Sequence, residues 1–317
     1  MDFIILIIGF FLLIKGAEIF VDGASSIAKK IGIPSVIVGL TIVSLGTSAP
    51  ELAVSLISSF NGNNGIAVGN VLGSNLFNTL VVLGGTAIVA PLLIKKSTIK
   101  RDYIATLVVT ILTCFLIFGL VPKSENMLSR ISGIILLVVC IAYMFILVKA
   151  AKKDSVKDEE NTSEIKMSKN ILLSLIGVVG IVFGGNLVVD SATNIAYALG
   201  MSEKLVGLTI VAVGTSLPEL VTSIVAALKG ENDIALGNVL GSNIFNLVLI
   251  LGASATISPI TVSGVMLIDL IILIAVTLFI GALIFFNKKE DKRLGRLEGI
   301  ILVGIYVAYL AYIIMRN

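Results

Sequence analysis

Apolar residues along this chain come in unbroken runs rather than in alternation with polar ones. The run from Ile134 to Cys140 contains no polar position. Ten such stretches, at roughly residues 2–22, 35–58, 64–91, 102–121, 131–149, 170–190, 203–228, 233–257, 263–286 and 296–314, each approach the ~20 residues that carry a helix across ~30 Å of hydrocarbon. Membrane barrel strands would show a period of two, so the pattern predicts helices. The expected fold is an all-α polytopic membrane protein with ten transmembrane helices, five in each half of the chain.

The polar positions that interrupt these runs occur twice. Gly39 to Leu52 (GLTIVSLGTSAPEL) returns as Gly207 to Leu220 (GLTIVAVGTSLPEL), and Gly69 to Asn78 (GNVLGSNLFN) returns as Gly237 to Asn246 (GNVLGSNIFN). Both copies are displaced by the same 168 residues, as Thr215 is from Thr47 and Asn238 from Asn70. The chain is therefore a tandem duplication, and what it keeps is Gly, Ser, Thr, Pro, Asn and Glu inside otherwise apolar segments. Spans two, three, seven and eight carry these residues and are expected to be broken helices forming the core. Spans four, five, nine and ten read as plain Leu/Ile/Val supports.

Composition agrees with a bilayer: 57% of the 317 residues are hydrophobic, 14% are charged, and the mean hydropathy is +1.09. Of the 23 Lys and Arg residues, 18 fall in connections on one side, which the positive-inside rule makes cytoplasmic. Both termini are then extracellular, in a multi-pass protein of the cell membrane. Five spans per half turn the second half upside down, as in inverted-repeat transporters. The halves are expected at 1–148 and 170–317, joined by a cytoplasmic linker, 149–169, too charged and too poor in apolar residues to build a core. The net charge of +3 reflects the cytoplasmic excess and calls for no nucleic-acid partner. The absence of His removes the commonest proton relay and transition-metal ligand. Cys114 and Cys140 lie mid-span without metal-ligand spacing, and the first span reads as a retained helix rather than a signal peptide.

The chemistry centres on Glu51 and Glu219. A carboxylate in mid-span costs several kcal/mol, and neither has a Lys or Arg partner within the polar spans, so each marks a functional site. Pro50 and Pro218 lack an amide N–H and crowd the carbonyls of Gly46 and Gly214 four residues back, freeing polar backbone. Thr47, Ser48 and Glu51 share a turn, as do Thr215, Ser216 and Glu219. Thr41, Ser44, Ser55 and Ser58, with Thr209, Thr222 and Ser223, continue the polar face as a candidate path. Asn70, Ser74 and Asn78 form a second stripe at four-residue spacing, repeated by Asn238, Ser242 and Asn246, and Gly69 and Gly73 leave room for close backbone approach or simple helix packing. The assembled ligands are all oxygens, a set that suits a hard cation such as Ca2+. Lys15, Glu18 and Asp22 line one face of the first span, as an ion-paired helix end or as a gating element. Paired carboxylates also serve hydrolytic enzymes, but those need unequal environments, whereas these two are related by the duplication.

These residues resemble the two repeats of the cation/calcium antiporter superfamily, in particular its prokaryotic sodium/calcium exchanger-like branch. The similarity spans Gly16 to Pro91 and Gly184 to Pro259 in register. It implies two inverted five-helix halves, no cofactor, no enzyme activity, function as a monomer, and Na+ and Ca2+ as transported ions. Carried over by position, Glu51 and Glu219 with the Thr47 and Thr215 carbonyls would hold Ca2+. Ser44, Ser48, Ser74, Asn78, Ala212, Ser216 and Ser242 would complete sodium sites. Many members place Asp where this chain has Asn246, so the site charge here rests on the glutamates alone; proton-coupled members show Asn-Ala where this chain has Thr47-Ser48. Two buried charges resist crossing the bilayer unless neutralised, so only loaded states should reorient, and ions that compete for the same oxygens are then exchanged. Proton-linked or K+-linked Ca2+ exchange and a cation channel stay open as alternatives.

Overall fold

The computed structural model describes residues 2–62, 64–95, 98–119, 126–153, 166–201, 212–286 and 292–316. Helix α1 (Asp2–Ile31) is followed by α2 (Ser35–Thr47) and α3 (Ala49–Phe60), which meet at 51°. Helices α4 (Gly65–Val89), α5 (Ile99–Phe118) and α6 (Arg130–Lys153) complete the first half. The second half holds α7 (Met167–Ala198), a short turn Ala212–Gly214, α8 (Leu217–Leu228), α9 (Asn232–Ile257), α10 (Val265–Phe286) and α11 (Arg296–Arg316). Among the described residues eight helices are long and apolar enough to cross a membrane, and the bent pair α2–α3 makes a ninth. The seventh expected span is described from Ala212 onward; Thr209 and the rest of 202–211 lie outside the described residues. The expected linker is shorter than its composition implied, because α6 runs on through Lys153 and α7 begins at Met167; residues 154–165 lie outside the described residues.

Burial sorts the helices into two layers. The most apolar window of α9 is 89% buried and that of α4 72%, against 33% for α6 and 11% for α11, so the polar-motif helices are the core and the purely apolar ones face lipid. Ile131, Ile134, Val138, Ile141 and Phe145 of α6 are all exposed, as lipid-facing side chains must be.

Helices α1 and α7, the first of each half, pack against each other in antiparallel fashion through glycine. A Cβ at Gly9 would lie 3.1 Å from the Gly184 carbonyl oxygen, and one at Gly16 2.9 Å from that of Gly177; the reciprocal distances are 2.8 Å and 2.8 Å. Gly9 and Gly177, and Gly16 and Gly184, are duplication partners, so the two halves are related by a pseudo-two-fold axis and run in opposite directions. At 30 and 32 residues, or about 45 Å at 1.5 Å per residue, both helices exceed the hydrocarbon thickness and must tilt.

Contacts between loops divide the molecule into two ends. Strand β1 (Leu92–Leu93) pairs antiparallel with β4 (Arg293–Leu294), and Lys95 with Asp233 in the first turn of α9 (2.5 Å) and Lys229 with Asp22 of α1 (2.5 Å) make further ties at that end. Strand β2 (Asn126–Leu128) pairs with β3 (Ile260–Val262) at the other end, where Asn194 Nδ2 also meets Asp2 Oδ1 at 3.4 Å. Each of these contacts joins loops or helix ends that the Lys/Arg distribution assigns to the same side.

The outer helices are less plain than their composition implied. Tyr143 in α6 donates to buried Asp102 in α5 at 3.2 Å, and Tyr309 in α11 donates to buried Asp269 in α10 at 3.1 Å. Arg101 adds two bonds to Asp102, at 2.7 and 2.9 Å. Sequence pattern gives these acids no partner, and the packed Tyr from the next span makes each an internal tie.

Candidate functional site

The break between α2 and α3 falls at Ser48 (φ −82°, ψ 12°), and the equivalent break before α8 at Ser216 (φ −94°, ψ 7°). Both residues occupy the sparsely populated region between helix and strand. Pro50 and Pro218 therefore sit not in a helix interior, as expected, but in the first turn of a new helix, where a missing N–H has no intrahelical partner to lose. Glu51 and Glu219 occupy the same first turns. The unpaired amides at a helix N-terminus carry partial positive charge, so each carboxylate is placed where a helix end favours an anion.

Each glutamate is held by both halves of the molecule. Glu51 Oε1 accepts from Ser216 Oγ at 3.0 Å and from Ser74 Oγ at 3.5 Å; Glu219 Oε1 lies 2.7 Å from Ser48 Oγ and 3.4 Å from Ser242 Oγ. Ser48 Oγ is also 3.0 Å from Ser242 Oγ. The hydroxyl beside each break thus crosses the pseudo-axis to the other repeat's carboxylate. Both glutamates are fully buried, and the second oxygen of each, Oε2, has no hydrogen-bond partner.

Asn70 and Asn238 fix the backbone behind the carboxylates. Asn70 Nδ2 donates to the Glu51 carbonyl (3.2 Å) and to Ser55 Oγ (2.9 Å), and Asn238 Nδ2 repeats this on the Glu219 carbonyl (3.3 Å) and Ser223 Oγ (2.9 Å). Their spacing places them in the polar stripe, but the clamp is a tertiary contact. Asn78 and Asn246 each open a π-helical turn, Asn78–Val82 in α4 and Asn246–Leu251 in α9, so the interruption in spans three and eight is a widened turn rather than a bend. Asn78 Nδ2 and Oδ1, Asn246 Oδ1 and Thr215 Oγ1 are buried without partners.

The remaining expected positions divide by what their oxygens do. The hydroxyls of Ser44 and Thr41 bond back to Leu40 (2.8 Å) and Ile37 (2.7 Å) of their own helix, so their part in a polar path is limited to the carbonyls. Thr47 Oγ1 lies 3.1 Å from Asn238 Oδ1. Ala212 opens the turn that leads to the second break, contributing backbone there. A Cβ at Gly237 would meet the Val36 carbonyl at 2.6 Å and one at Gly241 the Leu40 carbonyl at 2.6 Å, so these glycines bring α9 onto α2; at Gly69 and Gly73 no described atom lies within 4 Å. Sequence reasoning missed Asn75 and Asn243, both buried between the repeats, whose one signal was their repetition inside the motif. Among the described residues no three His, Cys, Asp or Glu side chains could hold a metal together, so any cation here meets two carboxylates and neutral oxygens.

Cavities lie at both ends, one of them, of about 470 Å³, lined by Asp22, Ser25, Ser26, Lys29, Lys229 and Glu231. A cavity of about 270 Å³ lies along the second half of α7, lined by Pro50, Asn186, Asp190, Thr215 and Pro218 among others. At the opposite end α1 is fastened to the α8–α9 turn: Lys229 Nζ contacts Asp22 and the Glu18 carbonyl (3.1 Å), Ser25 donates to Glu231, and Lys29 lies 3.5 Å from Glu231. Asp22 therefore pairs with another helix, whereas Lys15 and Glu18 pair locally and exposed at 2.7 Å.

A family model described as sodium/calcium exchanger protein matches residues 1–149 and 169–315. The chain belongs to the sodium/calcium exchanger family. Sodium/calcium exchanger MaX1 of Methanosarcina acetivorans is 34% identical over an alignment covering 98% of this chain and 97% of the relative. Inner membrane protein YrbG of Escherichia coli is 34% identical, over 97% of this chain and 95% of the relative. Among solved structures, the sodium/calcium exchanger from Methanococcus jannaschii superposes with a TM-score of 0.83 at 29% identity, covering 98% of this chain and 97% of the other. The family and its structural neighbours are membrane transporters, and this member is a transporter rather than an enzyme.

Proposed function

We propose that this exchanger moves Na+ and Ca2+ in opposite directions through one shared site centred on Glu51 and Glu219. The observation that carries the reading is the pair of fully buried carboxylates, each with one oxygen tied to the other repeat and one oxygen unpartnered. Buried anions without a counter-charge are strongly unfavourable, and the group that satisfies them here is a hard cation. Ca2+ seeks about 6–8 oxygens in adaptable geometry. Both glutamates and the Thr47 and Thr215 carbonyls are its ligands in this reading. Na+ ions share the glutamates and add Ser44, Ser48, Ser74, Asn78, Ala212, Ser216, Ser242 and Asn246. Competition for the same carboxylates, together with the cost of moving an empty doubly charged site through the bilayer, makes the transport an exchange.

The architecture in this reading has ten spans in two inverted halves, 1–148 and 170–317, working as a monomer in the cell membrane with both termini outside. The cavity beside Asp190 then opens to the exterior, and the Asp22–Lys229 contact ties α1 to α8 at the cytoplasmic end. Radioactive Ca2+ uptake into proteoliposomes tests the reading. Uptake should require internal Na+ and collapse when choline replaces it; uptake indifferent to Na+ that follows an imposed pH gradient would assign proton coupling instead.

A further inference from the structure

The central asparagines repeat in sequence but not in bonding. Asn75 and Asn78 correspond to Asn243 and Asn246 under the duplication, and all four are buried. Asn246 Nδ2 donates to Asn75 Oδ1 at 3.0 Å, and Asn75 Nδ2 donates to the Asn243 backbone carbonyl at 3.1 Å. The mirror-image bond, from Asn78 Nδ2 to Asn243 Oδ1, is not made: both atoms are buried without partners. Asn243 Nδ2 donates instead to Thr79 Oγ1 at 2.8 Å. The position related to Thr79 is Leu247, which has no hydroxyl. One substitution between the repeats thus diverts Asn243 and leaves Asn75 to hold Asn246.

We infer that Asn75 is a positioning residue that aims the Asn246 carbonyl oxygen into the ion site and thereby sets the balance between Na+ and Ca2+. A carboxamide has a donor end and an acceptor end, and committing one orients the other. The Asn75 amide is spent on a peptide carbonyl, which can only accept, so Asn75 must turn its oxygen to Asn246. Asn246 must then turn its amide to Asn75 and leave its own oxygen free, as observed. Asn246 lies one helical turn beyond Ser242, whose hydroxyl is 3.4 Å from Glu219 Oε1, so the freed oxygen stands on the carboxylate face of α9. Asn78 has no such anchor and takes the orientation that an ion imposes. The two repeats therefore supply one preset and one adaptable amide oxygen. Ca2+ draws its binding chiefly from the two carboxylates, whereas singly charged Na+ depends more on neutral dipoles, so loss of the preset oxygen should fall on Na+.

This inference rests on the exchange reading and is tested within it. Half-saturating Na+ and Ca2+ are measured for Na+-driven Ca2+ uptake by the full chain in proteoliposomes. Asn75→Leu should raise the Na+ value roughly three- to tenfold, the equivalent of one lost hydrogen bond, with the Ca2+ value changed less than about twofold. Leu247→Thr leaves the Asn75 and Asn246 side chains in place but supplies the missing hydroxyl as a competing partner for the Asn75 amide, as Thr79 does for Asn243; it should shift Na+ the same way and keeps the test open if Asn75→Leu does not fold. Asn243→Leu keeps the backbone carbonyl that orients Asn75 and should move Na+ by less than about twofold. Parallel shifts in Na+ and Ca2+, or an Asn243→Leu effect on Na+ as large as that of Asn75→Leu, would show a merely structural network and overturn the assignment. Absence of Na+-driven uptake in the wild-type protein would instead remove the exchange reading on which the inference depends.

Discussion

Glu51→Gln isolates the charge at the site from its shape. The side-chain volume stays, and the Ser216 hydroxyl, 3.0 Å from Oε1, keeps a carbonyl to donate to, so the fold should survive. What disappears is half of the negative charge facing the cation. Removing one member of a buried charge set costs roughly 3–5 kcal/mol, which at 1.4 kcal/mol per tenfold weakens Ca2+ by at least about two decades. Ligand-linked stability makes this visible without transport. At a Ca2+ concentration about 100 times the wild-type dissociation constant the ion stabilises the wild-type protein by ~2.7 kcal/mol, but a hundredfold weaker variant by only ~0.4 kcal/mol. The variant should also melt higher than wild type in chelator, because the empty site no longer holds two like charges in one buried cluster. The assay is thermal unfolding of purified protein with and without Ca2+, followed by Na+-driven uptake. A Ca2+-dependent shift as large as that of wild type, or uptake at the wild-type rate, would refute the assignment of the carboxylate pair; Glu219→Gln should behave in the same way.

The other expectations concern the frame around the site. Gly16→Ala places a Cβ 2.7 Å from the Ile181 amide nitrogen, so α1 and α7 must separate; a loss of about 1–3 kcal/mol is expected in unfolding measurements, and unchanged stability would disprove the close approach. Lys229→Asn installs the residue found at the duplication-related position, Asn61, and removes the Asp22 contact. An exposed ion pair contributes up to ~1 kcal/mol, so thiol labelling of Ser26→Cys in the adjoining cavity should quicken by up to about fivefold, and no change would rule out a fastening role. In a Cys114/Cys140-free background, Ser163→Cys should resist an impermeant thiol reagent applied outside intact cells; external labelling would invert the assigned orientation. Three Na+ against one Ca2+ on two glutamate charges leaves the sodium-loaded site at one net positive charge, so uptake should respond to a potassium–valinomycin potential, whereas a voltage-silent exchanger would point to two Na+.

The polar positions, Glu51, Glu219, Ser48 and Ser216 among them, and the apolar runs around them were legible in the chain because a bilayer makes polarity conspicuous. The crossing of the two serines was not, and α1 and α7 run on to Ile31 and Ala198, past the expected 22 and 190. Each polar group placed in an apolar run needs a reason, and duplication at one displacement displays the reasons twice. The antiparallel setting of the halves followed from an odd number of spans and the placement of Lys and Arg, and the Gly9–Gly184 and Gly16–Gly177 contacts agree with it. The break at Ser48 was legible only in part: Pro50 signalled an interruption, but whether proline lies inside a helix or in the first turn of the next depends on the backbone of the residue before it. Packing decided what local pattern leaves free. Nothing in the local pattern gives Asp102 or Asp269 a partner until Tyr143 and Tyr309 arrive from neighbouring helices, and Asp22 shares a helix face with Lys15 until α8 brings Lys229 to it. The same holds for the asparagines: repetition marks Asn75, Asn78, Asn243 and Asn246 as equals, yet a carboxamide is oriented by whatever meets its other end, and that partner comes from across the pseudo-two-fold axis, where Thr79 and Leu247 differ.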